Sequence, residues 1–148
     1  MNDTENCKLK KTALFPGSFD PFTDGHEALV KRALLLFDRV VIAVGVNSDK
    51  QYMFTTAERV EAIEKRFAGN ERIKVVSYSD MTIDCCRRMG AGFIIRGVRN
   101  TKDFEYEQTV AAVNRSLAPD IDTVMLLADL EYMDVSSTLE REKLQHRK

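Results

Sequence analysis

The sequence predicts an α/β fold, an open parallel sheet of five strands with helices on both faces, and three observations carry that prediction. Strand-like and helix-like runs alternate from Thr12 onward, the order of repeated βα units. Val40–Val46, Val-Val-Ile-Ala-Val-Gly-Val, shows no polar alternation, the pattern of a strand covered on both faces in a parallel sheet. Thr55-x-x-Glu58 and Ser137-x-x-Glu140, each just ahead of a helical run, are capping boxes that mark where two helices begin.

Residues 1–10 read as a short polar tail and residues 11–148 as one domain. Thr12–Phe15 is a short apolar strand, followed by a loop rich in glycine and proline, Phe15 to His26. Leu29, Val30, Ala33 and Phe37 then recur at helical spacing, predicting a helix from about Gly25 to Phe37. After the Val40–Val46 strand come a polar loop, Asn47 to Phe54, and a helix with Val60, Ile63 and Phe67 on one face that ends near Gly69. Ile73–Ser77 is the third strand, Met81–Met89 a short helix stopped by Gly90 in the left-handed region, and Phe93–Ile95 the fourth strand. A loop opening with Arg96-Gly97-Val98-Arg99 leads into a helix whose apolar stripe is Tyr106, Val110, Val113 and Leu117. Asp122–Ala128 is the fifth strand, and a final helix follows Ser137. Consecutive βα units with right-handed crossovers make a single-domain, Rossmann-like sheet. In such sheets ligands bind beyond the carboxyl ends of the strands, where the strand order switches. Here those ends are Phe15 onward, Asn47 onward, Ser77 to Met81, Arg96 onward and Ala128 onward.

At 148 residues the chain can bury roughly two-thirds of its unfolded surface and needs no staples. A formal charge of −1 leaves no broad field to draw nucleic acid or an anionic membrane, so any anion must be held locally. Met1–Lys11 lacks the apolar segment of a secretion signal, and no run of about 18 apolar residues occurs. The expectation is a cytoplasmic protein with neither a membrane nor a nucleic-acid partner. Cys7, Cys85 and Cys86 are odd in number and form no C-x-x-C pair, which argues against a disulfide framework and a thiolate metal site. Cys85 and Cys86 read as reduced, partly buried helix residues, with redox sensing as the alternative. His26 and His146 are the only histidines, so no protein metal cluster is expected.

The polar residues at the strand ends form a phosphate-binding set. Pro16 and Pro21 fix φ in the first loop, and Gly17 and Gly25 let the backbone approach a ligand with no Cβ between. Gly17-Ser18 and Thr23-x-Gly25-His26 put a turn and a helix N-terminus where amides and the macrodipole favour an anion, and where His26 is held neutral. The plainer alternative is an imidazole satisfied within the helix start. The stretch is neither G-x-x-x-x-G-K-[ST] nor G-x-G-x-x-G, which disfavours a P-loop and an ordinary dinucleotide unit. Lys50 follows the second strand, and Arg96 and Arg99 flank Gly97 as a fork of planar donors that matches phosphate oxygens. A solvated lysine, and arginines paired with Asp103 or Glu105, are the alternatives. Glu107 either accepts from a ribose or an adenine amino group or is an ordinary exposed glutamate. Val135–Thr138 adds hydroxyls and helix-start amides, a second anion cradle in which Ser137 is also the N-cap. No nucleophile–base pair or carboxylate dyad appears among these groups, which points to phosphoryl or nucleotidyl transfer by positioning and charge stabilisation.

Pro16 to His26, with Arg96-Gly97-Val98-Arg99, Asp103-Phe104-Glu105-Tyr106-Glu107 and Val135-Ser136-Ser137-Thr138, resembles the bacterial phosphopantetheine adenylyltransferases along nearly the whole stretch from Lys11 to about Glu142. Thr23-x-Gly25-His26 alone resembles the wider nucleotidyltransferase superfamily; the arginine pair with Asp-Phe-Glu-Tyr-Glu is more specific. The resemblance implies adenylyl transfer from ATP to 4′-phosphopantetheine, giving dephospho-coenzyme A and pyrophosphate in coenzyme A biosynthesis, with Mg²⁺ carried by ATP and pyrophosphate. It also implies a homohexamer and feedback by coenzyme A. By position, Ser18 and His26 would contact phosphates at the reaction centre, and Lys50 and Arg96 would hold the attacking phosphate, making these four the catalytic set. Ser18, Lys50, Arg96 and Thr82 would form the phosphopantetheine site. Ser18, Phe19, His26, Gly97, Val98, Arg99, Glu107 and the segment Tyr132, Met133, Asp134, Val135, Ser136, Ser137, Thr138 would line the ATP site. The chain departs from the family at Tyr52, where proline is common, at Asp134, where an apolar residue is common, and in stopping at Lys148 where many members continue. The rival readings are a sister enzyme, adenylating nicotinamide mononucleotide or transferring a cytidylyl group, and a catalytically silent nucleotide or coenzyme A sensor.

Overall fold

The computed structural model of the protein describes residues 11–133 and 137–146, without the side chains of Ser137, Leu139 and His146. The expected polar tail, the segment Asp134 to Ser136 and the Ser137 cap lie outside the described residues.

Five strands, β1 (Thr12–Gly17), β2 (Arg39–Gly45), β3 (Ile73–Tyr78), β4 (Phe93–Val98) and β5 (Asp122–Leu127), are interleaved with helices α1 (Asp24–Ala33), α2 (Thr56–Arg66), α3 (Thr82–Met89), α4 (Thr101–Leu117) and α5 (Ser137–His146). All strand pairs are parallel, in the order β3-β2-β1-β4-β5. Successive side chains of a strand point to opposite faces, and both faces here are dry. Ala13, Phe15, Val40, Ile42 and Val44 pack with Leu29, Val30, Ala33 and Phe37 after β1 and with Ile63 and Phe67 from α2. Leu14, Val41 and Ala43 pack on the other face with Ile83, Cys85 and Cys86 of α3 and with Ala118 and Ile121. This is why Val40–Val46 carries no polar alternation.

The elements depart from the sequence reading in four informative places. β1 runs on through Pro16 and Gly17, because β2 continues beside it with Pro16 opposite Ala43 and Gly17 opposite Val44. β4 runs on through Arg96, Gly97 and Val98, because β5 offers Met125, Leu126 and Leu127 as partners. What read as loop at both places is therefore strand. The first helix ends at Ala33, and Phe37 reaches the core from the turn beyond it. The predicted stripe of α4 is not core: Tyr106, Val113 and Leu117 are exposed, and the buried residue of that helix is Glu107.

One feature of the register positions the site. β1 pairs with β4 only at Ala13↔Phe93 and Leu14↔Ile94, whereas β1–β2 and β4–β5 stay paired to their ends. Beyond Leu14 the two half-sheets part, and a crevice opens at the switch in strand order, where ligands of open α/β sheets bind.

Candidate active site

Arg96 sits in that crevice. Its Nη1 donates to the Pro16 carbonyl across the gap at 2.6 Å, and Nε and Nη2 donate to the two carboxylate oxygens of Glu107 at 2.9 and 2.8 Å. A guanidinium has five N–H groups, so two remain for a ligand. Glu107 is not an exposed glutamate: it is 6% exposed, and both its carboxylate oxygens accept from Arg96. Arg99 is likewise held by Asp103, whose carboxylate accepts from the Arg99 main chain at 3.1 Å and from Nε at 2.9 Å. Burial raises the Asp103 pKa, but the Arg99 bonds and charge outweigh it and hold the carboxyl below its usual range. The predicted arginine fork is thus two arginine–carboxylate pairs.

The first loop holds its donors by other means. Thr23 caps α1, and its main-chain N–H donates to His26 Nδ1 at 2.9 Å while its hydroxyl accepts the His26 N–H, a capping box closed by histidine in place of glutamate. With Nδ1 accepting, a neutral ring carries its proton on Nε2, as a donor. The rings of Phe15, Phe19 and Phe22 surround the imidazole, with centroids 6.2, 5.0 and 5.1 Å away. Its pKa falls to about 4, chiefly through burial and then through the charges of Arg96, Arg66 and Arg99. One ring nitrogen of His26 is thus satisfied inside the helix start, and in the neutral ring the other carries the proton. Phe19 takes a positive φ of 49° to reach this position, and its ring fills the space a Cβ at Gly17 would need, 2.8 Å away. Gly17 makes room for that ring, and a Cβ at Gly25 would stand in ordinary contact with Tyr132 at 3.5 Å.

Lys50 reaches across from the loop after β2 and donates to Ser18 Oγ at 3.1 Å. Tyr52 shapes that loop, its hydroxyl accepting the Asn47 N–H at 2.9 Å. The buried Asp20 carboxylate accepts the Met53 and Phe54 amides at 2.8 and 2.9 Å, lacing the same loop to the one after β1.

Two cavities converge here. The larger, about 830 Å³, runs from Ser18, Lys50 and Arg96 over Tyr78 to Thr82 and along α4 to Asn114. The smaller, about 360 Å³, is lined by Phe19, His26, Gly97, Arg99 and Tyr132. Ser18, Lys50 and Arg96, three of the predicted phosphate binders, belong to both, as does Glu107, and they form a shared wall. Val98 is buried and lines neither cavity; Met133 and Thr138 also stand outside them, Thr138 accepting from Arg141 at 3.0 Å.

A profile of the Cytidylyltransferase-like family matches residues 14–143. A phosphopantetheine adenylyltransferase of Phocaeicola vulgatus is 51% identical over 135 residues, covering 91% of this chain and 89% of that protein. The chain belongs to the phosphopantetheine adenylyltransferase family. A Leptospira biflexa protein of that name is 44% identical over 93% of this chain and 86% of its own length. Among solved structures, a bifunctional NMN adenylyltransferase/ADP ribose pyrophosphatase from Francisella tularensis superposes with a TM-score of 0.71 at 17% identity. That match covers 95% of this chain and 43% of the longer one and shows the shared fold.

Two cavity-lining features of this phosphopantetheine adenylyltransferase family member, and one residue buried behind them, escape a reading of the sequence by motif. Arg141 of α5 donates to the Asp20 carbonyl at 2.6 Å and lines the smaller cavity. The Tyr78 hydroxyl lies 3.0 Å from Thr82 Oγ1 at the rim of the larger one. Arg59 is buried beneath both loops. The signal for Arg59 is its phase: it precedes Ile63 by four residues, on the apolar stripe of α2, where a charge is costly. Cys85 and Cys86 are fully buried, and burial pushes both thiols up, Cys86 to about 12, which leaves little thiolate for redox chemistry. Among the described residues no helix is long and apolar enough to cross a membrane.

Proposed function

We propose that the protein transfers the adenylyl group of ATP to 4′-phosphopantetheine, releasing pyrophosphate and forming dephospho-coenzyme A. The observation that carries this reading is the pair of cavities sharing one cationic wall. Two polyanions repel, so the difficult task is to hold them in line, and alignment of this kind can contribute on the order of 7–11 kcal/mol. In this reading the larger cavity takes the pantetheine arm, bordered by Thr82, with its phosphate on Lys50, Ser18 and Arg96. The smaller takes ATP between Phe19, Gly97, Arg99 and the Tyr132 segment, with Glu107 acting through Arg96.

A phosphate oxygen of phosphopantetheine attacks the α-phosphorus, a new P–O bond forms, and the P–O bond to pyrophosphate breaks. The nucleophile is already anionic and needs no base. His26, neutral with its proton on Nε2, donates to the charge that develops on the α-phosphoryl oxygens. The carboxylates of Asp103 and Glu107 are taken by arginines, and among the described residues no three metal-ligating side chains converge. Mg²⁺ carried by ATP and pyrophosphate, as the family implies, would supply neutralisation of phosphate charge. The exposed apolar residues of α4, Tyr106, Val113 and Leu117, fit a homo-oligomer, and we carry over from the family a hexamer, feedback by coenzyme A and a cytoplasmic setting.

The purified protein is expected to release pyrophosphate from ATP only when phosphopantetheine is supplied. Release with nicotinamide mononucleotide, or from CTP, overturns the substrate assignment, and none with any acceptor favours the silent sensor.

A further inference from the structure

We infer that Arg59 is a positioning residue whose buried charge is held for the substrates' phosphates rather than for a protein carboxylate; the inference rests on the reading of the shared wall as the phosphate centre. Arg59 is 2% exposed. Its Nη1 donates to two main-chain carbonyls, Ser18 at 2.6 Å and Gly45 at 3.1 Å, and Nη2 to Thr56 Oγ1 at 3.3 Å. The Tyr52 ring covers it, 3.9 Å from the guanidinium carbon, and Nε has no acceptor. Among the described residues no carboxylate lies within ion-pair distance, whereas Arg88, Arg96 and Arg99 each have one and Arg66 has two.

A buried cation without a counter-ion destabilises the fold that contains it. Its position shows what offsets that penalty. Ser18 O lies one residue beyond β1 and Gly45 O at the last residue of β2, so the guanidinium ties together the two loops that bring Ser18 and Lys50 to their contact. Ser18 lines both cavities, and Arg59, which lines neither, donates to its carbonyl. Donation into the Ser18 carbonyl polarises the Ser18–Phe19 peptide and strengthens the Phe19 amide as a donor. Arg59 itself is shielded from water, beneath the Tyr52 ring, so its field is weakly screened on the protein side, and an anion on the shared wall is the countercharge the protein itself withholds.

This gives a signature that a merely structural residue would not produce: removing the charge harms the anion-bound state more than the free one. Full-length Arg59→Met and Arg59→Lys are compared with the native protein by thermal unfolding with and without pyrophosphate, by pyrophosphate titration and by steady-state turnover. Arg59→Met is expected to weaken pyrophosphate by about tenfold or more and to lower kcat by a similar factor, with KM for phosphopantetheine moving less, and Tm is expected to fall less without pyrophosphate than with it. Arg59→Lys is expected to recover pyrophosphate binding to within about threefold, because it restores the charge. Native pyrophosphate affinity in Arg59→Met, or equal losses of Tm with and without pyrophosphate, overturns the proposal. Should Arg59→Met fail to fold, Tyr52→Leu opens the guanidinium to water; about threefold weaker pyrophosphate binding is then expected, and unchanged affinity overturns the proposal. If the native protein releases no pyrophosphate with phosphopantetheine, the proposed reaction falls while the pyrophosphate titration still tests Arg59.

Discussion

The two halves of the sheet present donors to the same crevice but hold them by opposite means. On the β4–α4 side, Arg96 and Arg99 are each clamped by a carboxylate, so their charges are largely cancelled and their value to a ligand lies in directed N–H groups. On the β1–β2 side, His26 is neutral and set by a capping box, while Lys50 and Arg59 have no carboxylate among their described partners. Geometry and charge are supplied separately: the arginine pairs give fixed direction, and the cations without a carboxylate among their described partners give attraction.

The largest test of this division removes the neutral donor. His26→Ala is expected to fold and bind ATP but to lose roughly 10²–10³ in turnover, the effect of deleting one donor aimed at developing charge. Near-normal turnover in a single-turnover assay would break the assignment. Next comes the clamp. Glu107→Gln keeps the shape but turns one acceptor into a donor facing Arg96, so it is expected to cost about 2–3 kcal/mol of stability by denaturant unfolding and to raise KM for phosphopantetheine. A variant as stable as the native chain would show that Arg96 needs no clamp.

A third test separates the halves by pH. The folded pKa of His26, about 4, lies below its ordinary 6.5, so between those values the unfolded chain binds more protons and stability is lost as pH falls. The native protein is expected to lose about 2 kcal/mol between pH 7 and pH 5 that His26→Asn does not lose. Parallel pH curves for the two proteins would contradict the neutral, buried ring. The smallest effect is expected from Lys50→Ala, about tenfold weaker phosphopantetheine binding with ATP little changed, since one exposed charge-assisted contact is lost. Equal losses for both ligands in binding titrations would mean that Lys50 serves the whole wall.

Much of the fold was legible because periodicity and caps are local. The dry β2 run, the Thr55 box and the Gly90 stop all answer to neighbours within a few residues. The ends of β1 and β4 were not, because whether Pro16-Gly17 and Arg96-Gly97-Val98 are strand depends on partners supplied by β2 and β5. The site shows the same contrast. His26, Lys50 and Arg96 are visible as polar groups at strand ends, but Glu107 changes meaning only when Arg96 arrives from eleven residues away in sequence. The α4 stripe misled because apolar spacing reports that a face is to be covered, and not by what.

The small space at Gly17 has a consequence for how this chain can vary. The Phe19 ring occupies the volume where any other residue would place its Cβ, and the same ring stands edge-on to the imidazole of His26. A side chain added at the end of β1 would be felt first by a phenyl group and only then by the reacting centre. Inheritance at position 17 is thereby bound to the pose of an imidazole it never touches.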